Sequence, residues 1–291
     1  MEKMHTMVKK MRRKYTLGLY EKAIPNALSI EEKLKLAYEQ GFDFLELSID
    51  ETDEKLERLD YPESYWKAIK DVSLKTVPIH SMCLSGHRKY PLGSMNAQTR
   101  KKSLRIMKKA IDLAYFLGVR HIQLAGYDVY YEESNEKTKA YFLKGLKQSV
   151  SYASKKCIML GFETMETSFM DTVEKAMVYV RKLKSPYLNV YPDIGNLTNA
   201  YLKYSDMTRD LAFGRGHVIA AHLKETLPGI YRNLAYGDGH TDYQSFLKIL
   251  KKQGVSCFVG EFWDLGSADY LDKIHTSATF LREHLDRIFN L

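Results

Sequence analysis

The chain has 291 residues, of which 45% are hydrophobic and 27% are charged, and its formal net charge is +8. This length suits one large domain or two small ones, and no apolar run approaches the ~20 residues that a membrane-spanning helix needs. Most of the net positive charge comes from residues 1–14, so the rest of the chain is not basic enough to predict nucleic-acid binding.

Residues 1–14 form a basic leader that lacks the apolar core of a secretory signal. We expect a disordered extension here, followed by one folded domain over residues 15–291 in a cytoplasmic protein. The three cysteines, Cys83, Cys157 and Cys257, are odd in number and form no C-x-x-C motif. This pattern predicts reduced, buried thiols.

Strand-like and helix-like segments alternate through the rest of the chain. Each strand candidate is a short and nearly continuous apolar run, as expected for a parallel strand that is covered on both faces. The candidates are residues 16–20, 42–49, 75–84, 121–125, 159–163, 188–193, 218–224 and 256–262.

Helix candidates lie between these strands. Ser29 and Glu32 form a capping box for a helix that ends before Gly41. The other helix candidates are residues 97–117, 135–156, 171–183, 205–213, 242–253 and 268–289. Eight strands in alternation with helices predict a single (β/α)₈ barrel, an α/β fold. A doubly wound open sheet is the main rival, but polar residues end many strands instead of gathering at one crevice.

Four of the predicted strands carry a side chain that can bind a metal ion at or near their ends: Glu163, Asp193, His222 and Glu261. Each alone fits a buried ion pair or a hydrogen-bonded core histidine. However, successive members are about one strand–helix unit apart, and the C-terminal ends of parallel strands meet at one end of a barrel. The joint pattern therefore predicts a shared divalent-metal site. Three carboxylates with one imidazole favour Mn²⁺, Mg²⁺ or Co²⁺ and also allow Zn²⁺.

Longer motifs are similar to those of one known family. They are GLYEKA at 18–23, GFDFLE at 41–46, DETD at 50–53, SMCLS at 81–85, HR at 87–88, IQLAGYDVYYE at 122–132, YPDIGN at 191–196, HLKET at 222–226 and GDG at 237–239. Over residues 17–289 the chain resembles the L-ribulose/L-xylulose 5-phosphate 3-epimerases of ascorbate and pentose catabolism, within the xylose-isomerase-like barrel superfamily. The resemblance implies that Glu163, Asp193, His222 and Glu261 hold one divalent metal ion. It also implies that Glu163 and Glu261 act as acid and base.

Three features depart from the family pattern. They are the segment Thr164-Met-Glu166 after the fifth strand, His80 on the third strand, and the basic leader. None of these departures changes one of the four proposed ligands, so a metal site is still expected. They bear on substrate preference instead.

The implied reaction inverts C3 of a ketopentose 5-phosphate and so interconverts L-ribulose 5-phosphate and L-xylulose 5-phosphate. The metal would act as a Lewis acid. One glutamate would remove the C3 proton, and the other would return a proton to the opposite face.

Five further residues are candidates for substrate contacts. Glu46, at the end of the second strand, is expected to accept a sugar hydroxyl. His87 and Arg88 follow the third strand and are expected to reach the substrate. Lys224 and Arg232, with the backbone amides of residues 237–239, are expected to bind the phosphate. Each also fits a simpler role as a surface charge, a rim ion pair or a turn, and the charged run at 50–55 is expected to be solvated.

Three other functions compete with the epimerase. The first is an aldose–ketose isomerase, such as a hexulose-6-phosphate isomerase, on the same metal. The second is an endonuclease-type metallohydrolase, which usually needs three metals and more histidines than His80, His87 and His222 provide near the mouth. The third is a non-catalytic metal-binding regulator. The expected partner is a small-molecule sugar phosphate, without nucleic acid or membrane, and a homodimer is expected by analogy.

Overall fold

A computed structural model describes residues 13–204 and 206–290. Eight strands lie within them, and most begin or end within a few residues of their predicted bounds. They are β1 Thr16–Tyr20, β2 Phe44–Ile49, β3 Ile79–Leu84, β4 His121–Ala125, β5 Met159–Glu163, β6 Leu188–Val190, β7 Ala221–Leu223 and β8 Cys257–Gly260.

The strands form one parallel sheet that closes on itself. Their order is β6-β5-β4-β3-β2-β1-β8-β7, so β1 lies between β2 and β8. Parallel bridges join Val190 to Val218 and Asp193 to His222, which connects the β6 side of the sheet to the β7 side. The predicted (β/α)₈ barrel is confirmed, and the closed ring excludes the open doubly wound sheet.

Ten α-helices lie within the described residues and surround this ring. They are α1 Ile30–Glu39, α2 Asp53–Glu57, α3 Glu63–Ser73, α4 Ala97–Leu117, α5 Glu136–Lys155, α6 Val173–Leu183, α7 Ile194–Tyr201, α8 Met207–Phe213, α9 Tyr243–Lys252 and α10 Tyr270–Phe289. The predicted capping box of α1 is present between Ser29 and Glu32. The sequence pattern misses α2, α3 and α7. None of the helices that the structure describes combines the length and apolar composition needed to cross a bilayer.

Alternate residues of each strand face two different apolar regions. Leu45, Leu47 and Ile49 of β2 belong to the large core between the sheet and the helices. Phe44 belongs to a smaller core inside the barrel, which we call the lumen. A Cβ atom on Gly18 would lie 2.2 Å from the Phe44 ring, so the lumen holds Phe44 only because β1 has a glycine there.

Two expectations about the ends and the thiols need qualification. Residues 1–12 of the predicted extension lie outside the described residues, so the division at residue 14 stays a prediction; the Arg13 side chain lies 3.3 Å from Asp286 of α10. Cys83 and Cys257 are buried free thiols as predicted, but Cys157 is exposed. Its backbone has a φ of 55°, because it occupies the turn between α5 and β5 and is not part of the strand.

The expectation of a solvated run at residues 50–55 is wrong at Asp50 and Lys55, which are buried. Lys55, Lys33 and Arg58 surround the fully buried carboxylate of Glu21, and we call these four residues the Glu21 cluster. The Lys33 Nζ atom lies 3.0 Å from Glu21 Oε1, and Arg58 Nη1 lies 2.9 Å from both carboxylate oxygens. The cluster joins the segment after β1 to α1 and to the helical turns that follow β2.

Candidate active site

Four ligand-type side chains meet at the C-terminal end of the barrel: Glu163, Asp193, His222 and Glu261. Glu163 is the last residue of β5 and His222 lies within β7. Asp193 caps α7 just after β6, and Glu261 directly follows β8. One ligand-type atom from each of the four lies within 4.8 Å of the others. We call this group the four-ligand cluster, and all its members are buried.

His222 is oriented by a hydrogen bond to one of its two ring nitrogens. Its Nε2 lies 2.7 Å from Glu46 Oε2. Glu46 also accepts hydrogen bonds from the Ser81 hydroxyl at 2.7 Å and the Tyr191 hydroxyl at 3.0 Å. A carboxylate surrounded by donors acts as an acceptor, so this network assigns the ring proton to Nε2 of His222. Burial lowers the pKa of His222, but the charges of Glu46 and Glu261 raise it well above its usual value, so Nδ1 carries a proton when no cation is present. A bound cation would take the place of this proton, as in carboxylate–histidine–metal arrangements.

This geometry corrects the predicted role of Glu46. Its carboxylate is fully buried, because Glu46 is the third residue of β2 and does not lie at the end of the strand. Its oxygens are already bound to His222, Ser81 and Tyr191, so no oxygen is directed toward a sugar hydroxyl. Glu46 is therefore a positioning residue for His222.

The unsatisfied atoms of the cluster fit a divalent cation. Asp193 Oδ2, His222 Nδ1 and Glu261 Oε2 are buried and have no hydrogen-bond partner among the described residues. Nδ1 of His222 lies 3.2 Å from Glu261 Oε2 and 3.5 Å from Glu163 Oε1. Asp193 Oδ2 forms an ion pair with Lys224 Nζ, which lies 2.8 Å away. Buried polar atoms are costly unless they are paired or bind a metal, and this donor set is one that divalent metals accept.

The electrostatics of the cluster point in the same direction. Burial and the neighbouring Glu261 charge raise the pKa of Glu163. Burial, opposed by Lys224 and supported by Glu261, raises the pKa of Asp193 well above its usual value. Burial alone would also raise the pKa of Glu261, but the charges of Lys224 and His222 hold it well below its usual value. Three carboxylates thus share two basic groups, and a divalent cation would relieve their repulsion.

The cluster opens into a cavity at the mouth of the barrel. Glu163 and Glu261 line this cavity, whereas Asp193 and His222 lie outside its lining. Trp263 lies on the cavity wall, with its ring 6.0 Å from Lys224 Nζ. The two glutamates are therefore the members of the cluster that a bound molecule can reach.

Three of the predicted substrate-binding residues, Arg88, Lys224 and Arg232, line the cavity. His87 does not, and the prediction for it is corrected. Its ring is buried, and Nε2 lies 3.2 Å from the carbonyl oxygen of Ser103 in α4. The helical turn at residues 86–88 directs neighbouring side chains to different sides, so His87 packs against α4 while Arg88 reaches the cavity.

The backbone amides of residues 237–241 bind a side chain of the protein itself. The Gly237 amide donates to Glu225 Oε2 at 3.0 Å, and the Thr241 amide donates to Glu225 Oε1 at 3.1 Å. A Cβ atom on Gly239 would lie 2.4 Å from Glu225 Oε1, so this glycine lets the carboxylate approach. Of the amides at 237–239 that are expected to bind the phosphate, that of Gly237 is therefore occupied by Glu225, and that of Asp238 donates to the Ala235 carbonyl oxygen.

Sequence reasoning missed two residues that hold the ligands in place. Gln123 donates through Nε2 to Glu163 Oε2. The backbone amide of Asn196 donates to Asp193 Oδ1 at 2.7 Å. The side-chain oxygen of Asn196 accepts from Lys224 Nζ at 2.7 Å. A glutamine in the middle of the apolar strand β4 is a local signal that could have identified Gln123. The role of Asn196 depends on contacts between different loops.

Replacing Glu46 by Gln should lower the affinity for Mn²⁺ by about 10–100-fold, the usual cost of removing the partner of a ligand histidine. The amide nitrogen of a glutamine can donate to Nε2, which stabilises the wrong ring tautomer of His222. His222→Ala should cost more, because it removes a ligand. Calorimetric titration of chelator-treated protein with Mn²⁺ measures both effects. Ser81→Ala serves as the matched control with a smaller loss, and an unchanged affinity in Glu46→Gln would refute the positioning role.

The sequence of the chain is similar to those of a barrel family and of a sugar-phosphate epimerase. Residues 34–284 match the xylose isomerase-like TIM barrel family. L-Ribulose-5-phosphate 3-epimerase UlaE of Shigella boydii serotype 18 is 42% identical over 255 residues, which are 87% of this chain and 89% of that protein.

Solved structures show the same fold at much lower identity. The D-psicose 3-epimerase of Clostridium cellulolyticum H10, solved with D-tagatose, has a TM-score of 0.77 at 12% identity and covers 93% of this chain and 99% of its own. The IolI protein, solved with a bound zinc atom, has a TM-score of 0.76 at 15% identity and covers 95% of this chain and 100% of its own. At these identities the likeness shows the fold alone.

Proposed function

This chain belongs to the xylose isomerase-like TIM barrel family and is an isomerase-class enzyme of the epimerase type, and from this we propose that it inverts C3 of a ketopentose 5-phosphate. The proposed substrates are L-ribulose 5-phosphate and L-xylulose 5-phosphate. The relative that is 42% identical carries this activity in its name. The pathway consistent with this chemistry is ascorbate or pentose catabolism.

One observation carries the proposal: two glutamates of the four-ligand cluster, Glu163 and Glu261, also line the cavity. An epimerisation at carbon needs one group that removes a proton and another that supplies a proton to the opposite face. Both groups must lie beside the same carbon atom. A cluster that offers two carboxylates to one bound molecule supports this requirement.

In the proposed mechanism, the substrate binds with C3 between Glu163 and Glu261. One glutamate accepts the C3 proton, which leaves a planar enediolate, and the other donates a proton to the opposite face. Lys224, held by Asn196 at 2.7 Å, lies 3.5 Å from Glu261 and favours the ionised form of this carboxylate when it acts as the base. Glu163, Asp193, His222 and Glu261 would hold Mn²⁺, Mg²⁺, Co²⁺ or Zn²⁺, and the bound ion supplies Lewis acidity at the substrate oxygens.

Arg88 and Arg232 are the proposed phosphate contacts. The Arg232 side chain lies on the cavity wall, 3.8 Å from Glu166 and with its guanidinium 5.6 Å from the Trp263 ring centre. Arg88 stacks on the Tyr130 ring at 4.8 Å. Lys224 is less suited to the phosphate, because its ammonium group already faces the carboxylates of the cluster. A guanidinium group can present a planar pair of donors to phosphate oxygens.

Incubation with Mn²⁺ and L-ribulose 5-phosphate in deuterium oxide tests the proposal. We expect L-xylulose 5-phosphate as the product and one deuterium at C3, both visible by proton NMR. Deuterium at C1 would instead identify an aldose–ketose isomerase. The absence of C3 exchange with either ketopentose phosphate would refute the 3-epimerase. The oligomeric state, predicted as a homodimer, can be measured on the same sample by light scattering.

A further inference from the structure

We propose that a second metal site lies at the opposite, N-terminal end of the barrel and is formed by His80, His121 and Cys257. One ligand-type atom from each of these residues lies within 4.8 Å of the others. The three come from β3, β4 and β8. We call them the lower cluster, and the proposal does not depend on the epimerase reaction.

A β-bulge places His80 in this cluster. The register between β2 and β3 passes from Leu45 opposite Ile79 to Glu46 opposite Ser81, which leaves His80 as the extra residue. Without the bulge, alternation would place His80 on the outer face of the sheet. Its ring instead packs against Phe44 of the lumen, with centroids 5.2 Å apart. Bulges commonly re-aim one side chain toward a functional site.

One histidine of the lower cluster has an unpaired, buried ring nitrogen. His121 is only 8% exposed, and its Nδ1 is buried without a hydrogen-bond partner among the described residues. The His80 and His121 rings meet edge to face with centroids 5.4 Å apart. Burial lowers the pKa of His80, and burial with the nearby His80 and Arg120 lowers the pKa of His121 to about 4. Neutral imidazole is the form that binds a metal.

Two imidazoles and one thiol select a different class of ion from the three carboxylates of the four-ligand cluster. Sulfur and nitrogen ligands favour Zn²⁺ or Co²⁺ over Mg²⁺ and Mn²⁺. Zinc binds at about 2.0 Å from nitrogen and about 2.3 Å from sulfur, so small side-chain rotations would close the cluster around one ion. His80 is partly exposed, which leaves room for water as a fourth ligand.

Binding would displace the thiol proton of Cys257. As the sulfur–metal bond forms, the S–H bond breaks and the proton passes to solvent. Burial raises the pKa of this thiol to about 12, and the exposed side chain of Arg120 places a positive charge near His80 and His121. Both effects oppose binding, so we expect a weaker site than one built from several cysteines. A bound ion would join β3, β4 and β8 and stabilise the N-terminal end of the barrel.

Cobalt spectroscopy on the full chain tests the lower cluster. Chelator-treated protein is titrated with Co²⁺, and the near-ultraviolet absorption of a cobalt–thiolate bond is followed. We expect this absorption in the unaltered protein and in His222→Ala, which removes a ligand only from the four-ligand cluster. Cys257→Ser, a nearly isosteric change, should abolish it. The unaltered protein should bind one more Zn²⁺ ion per chain than the Cys257→Ser variant.

Cys157→Ser is the matched control, because it removes an exposed thiol outside the cluster. Loss of the cobalt–thiolate absorption in this variant would show that the metal binds adventitiously at the surface and would overturn the proposal. So would the lack of any such absorption in the unaltered protein, or its persistence in Cys257→Ser. Zn²⁺ should also raise the melting temperature of His222→Ala but not that of the double variant with Cys257→Ser.

Discussion

Replacing either Glu163 or Glu261 by Gln should slow the interconversion of the two ketopentose phosphates by about 10²–10⁴-fold in both directions. Each direction of the reaction uses both carboxylates, one to accept a proton and one to donate it. Both side chains are buried in the four-ligand cluster and reach the cavity. Initial rates at saturating Mn²⁺ separate this loss from a loss of metal affinity.

Exchange of the C3 hydrogen in deuterium oxide sharpens this test. Each glutamate would remove the proton of only one epimer, so each variant should still exchange the C3 hydrogen of the other. Glu163→Gln and Glu261→Gln should therefore retain exchange with opposite substrates. If either variant interconverted the epimers at a near-normal rate, the proposed role of that glutamate in proton transfer would be refuted. Glu31→Gln, an exposed change on α1, should leave the rates unchanged.

Replacing Glu21 by Gln should reduce the free energy of unfolding by about 3–5 kcal/mol, the usual cost of breaking a buried ion pair. The change leaves the positive charges of Lys33, Lys55 and Arg58 without their anion in a buried site. It also weakens the hydrogen bond from the Ser48 amide to Glu21 Oε2, which is 2.8 Å long. Urea unfolding followed by circular dichroism measures the loss.

The exposed pair of Glu31 and Lys35 in α1 provides the control for this prediction. Their charged atoms are 2.8 Å apart, but about half of each side chain is exposed. Surface pairs of this kind contribute ~0–1 kcal/mol, so Glu31→Gln should change the stability little. A loss below 1 kcal/mol for Glu21→Gln would contradict the role of the buried cluster.

The same cluster gives stability a pH dependence in acid. Burial alone would raise the pKa of Glu21, but Arg58, Lys33 and Lys55 lower it from 4.5 to about 2. A carboxyl group with a lowered pKa in the folded state stabilises the fold above its unfolded pKa. The contribution, on the order of 3 kcal/mol, is therefore present above pH 4.5 and is lost as the pH falls toward 2. Glu21→Gln should remove this part of the pH dependence.

Local signals explain why so much of the fold could be predicted. Continuous apolar runs mark β1, β4 and β5, and their predicted bounds agree with the structure. The N-cap of α1 and the glycine after α4 mark helix ends through hydrogen bonds between residues near in sequence. By contrast, α7 is apolar on most sides and carries buried asparagines. It has only eight residues and most of them are buried, so it lacks the length and the exposed polar face by which the other helices were recognised.

Some residues of the candidate site could likewise be predicted from local sequence, and others could not. Glu163, Asp193 and Glu261 could be identified because each closes an apolar strand, and parallel strands place their ends together. Glu46 could not be assigned correctly, because its partner His222 lies 176 residues further along the chain. His87 and Arg88 are neighbours in sequence, and only the turn that holds them decides which one reaches the cavity.

The sequence by itself determined the barrel and the convergence of four ligands. The strand and helix patterns are local, and a barrel of parallel strands places the C-terminal ends of all its strands at one end. The tertiary structure alone decided which charges are buried together, as in the Glu21 cluster. It also decided the direction of single side chains such as His80, because one extra residue in β3 reverses the face to which a side chain points. Such contacts depend on register between elements, which no short stretch of sequence specifies.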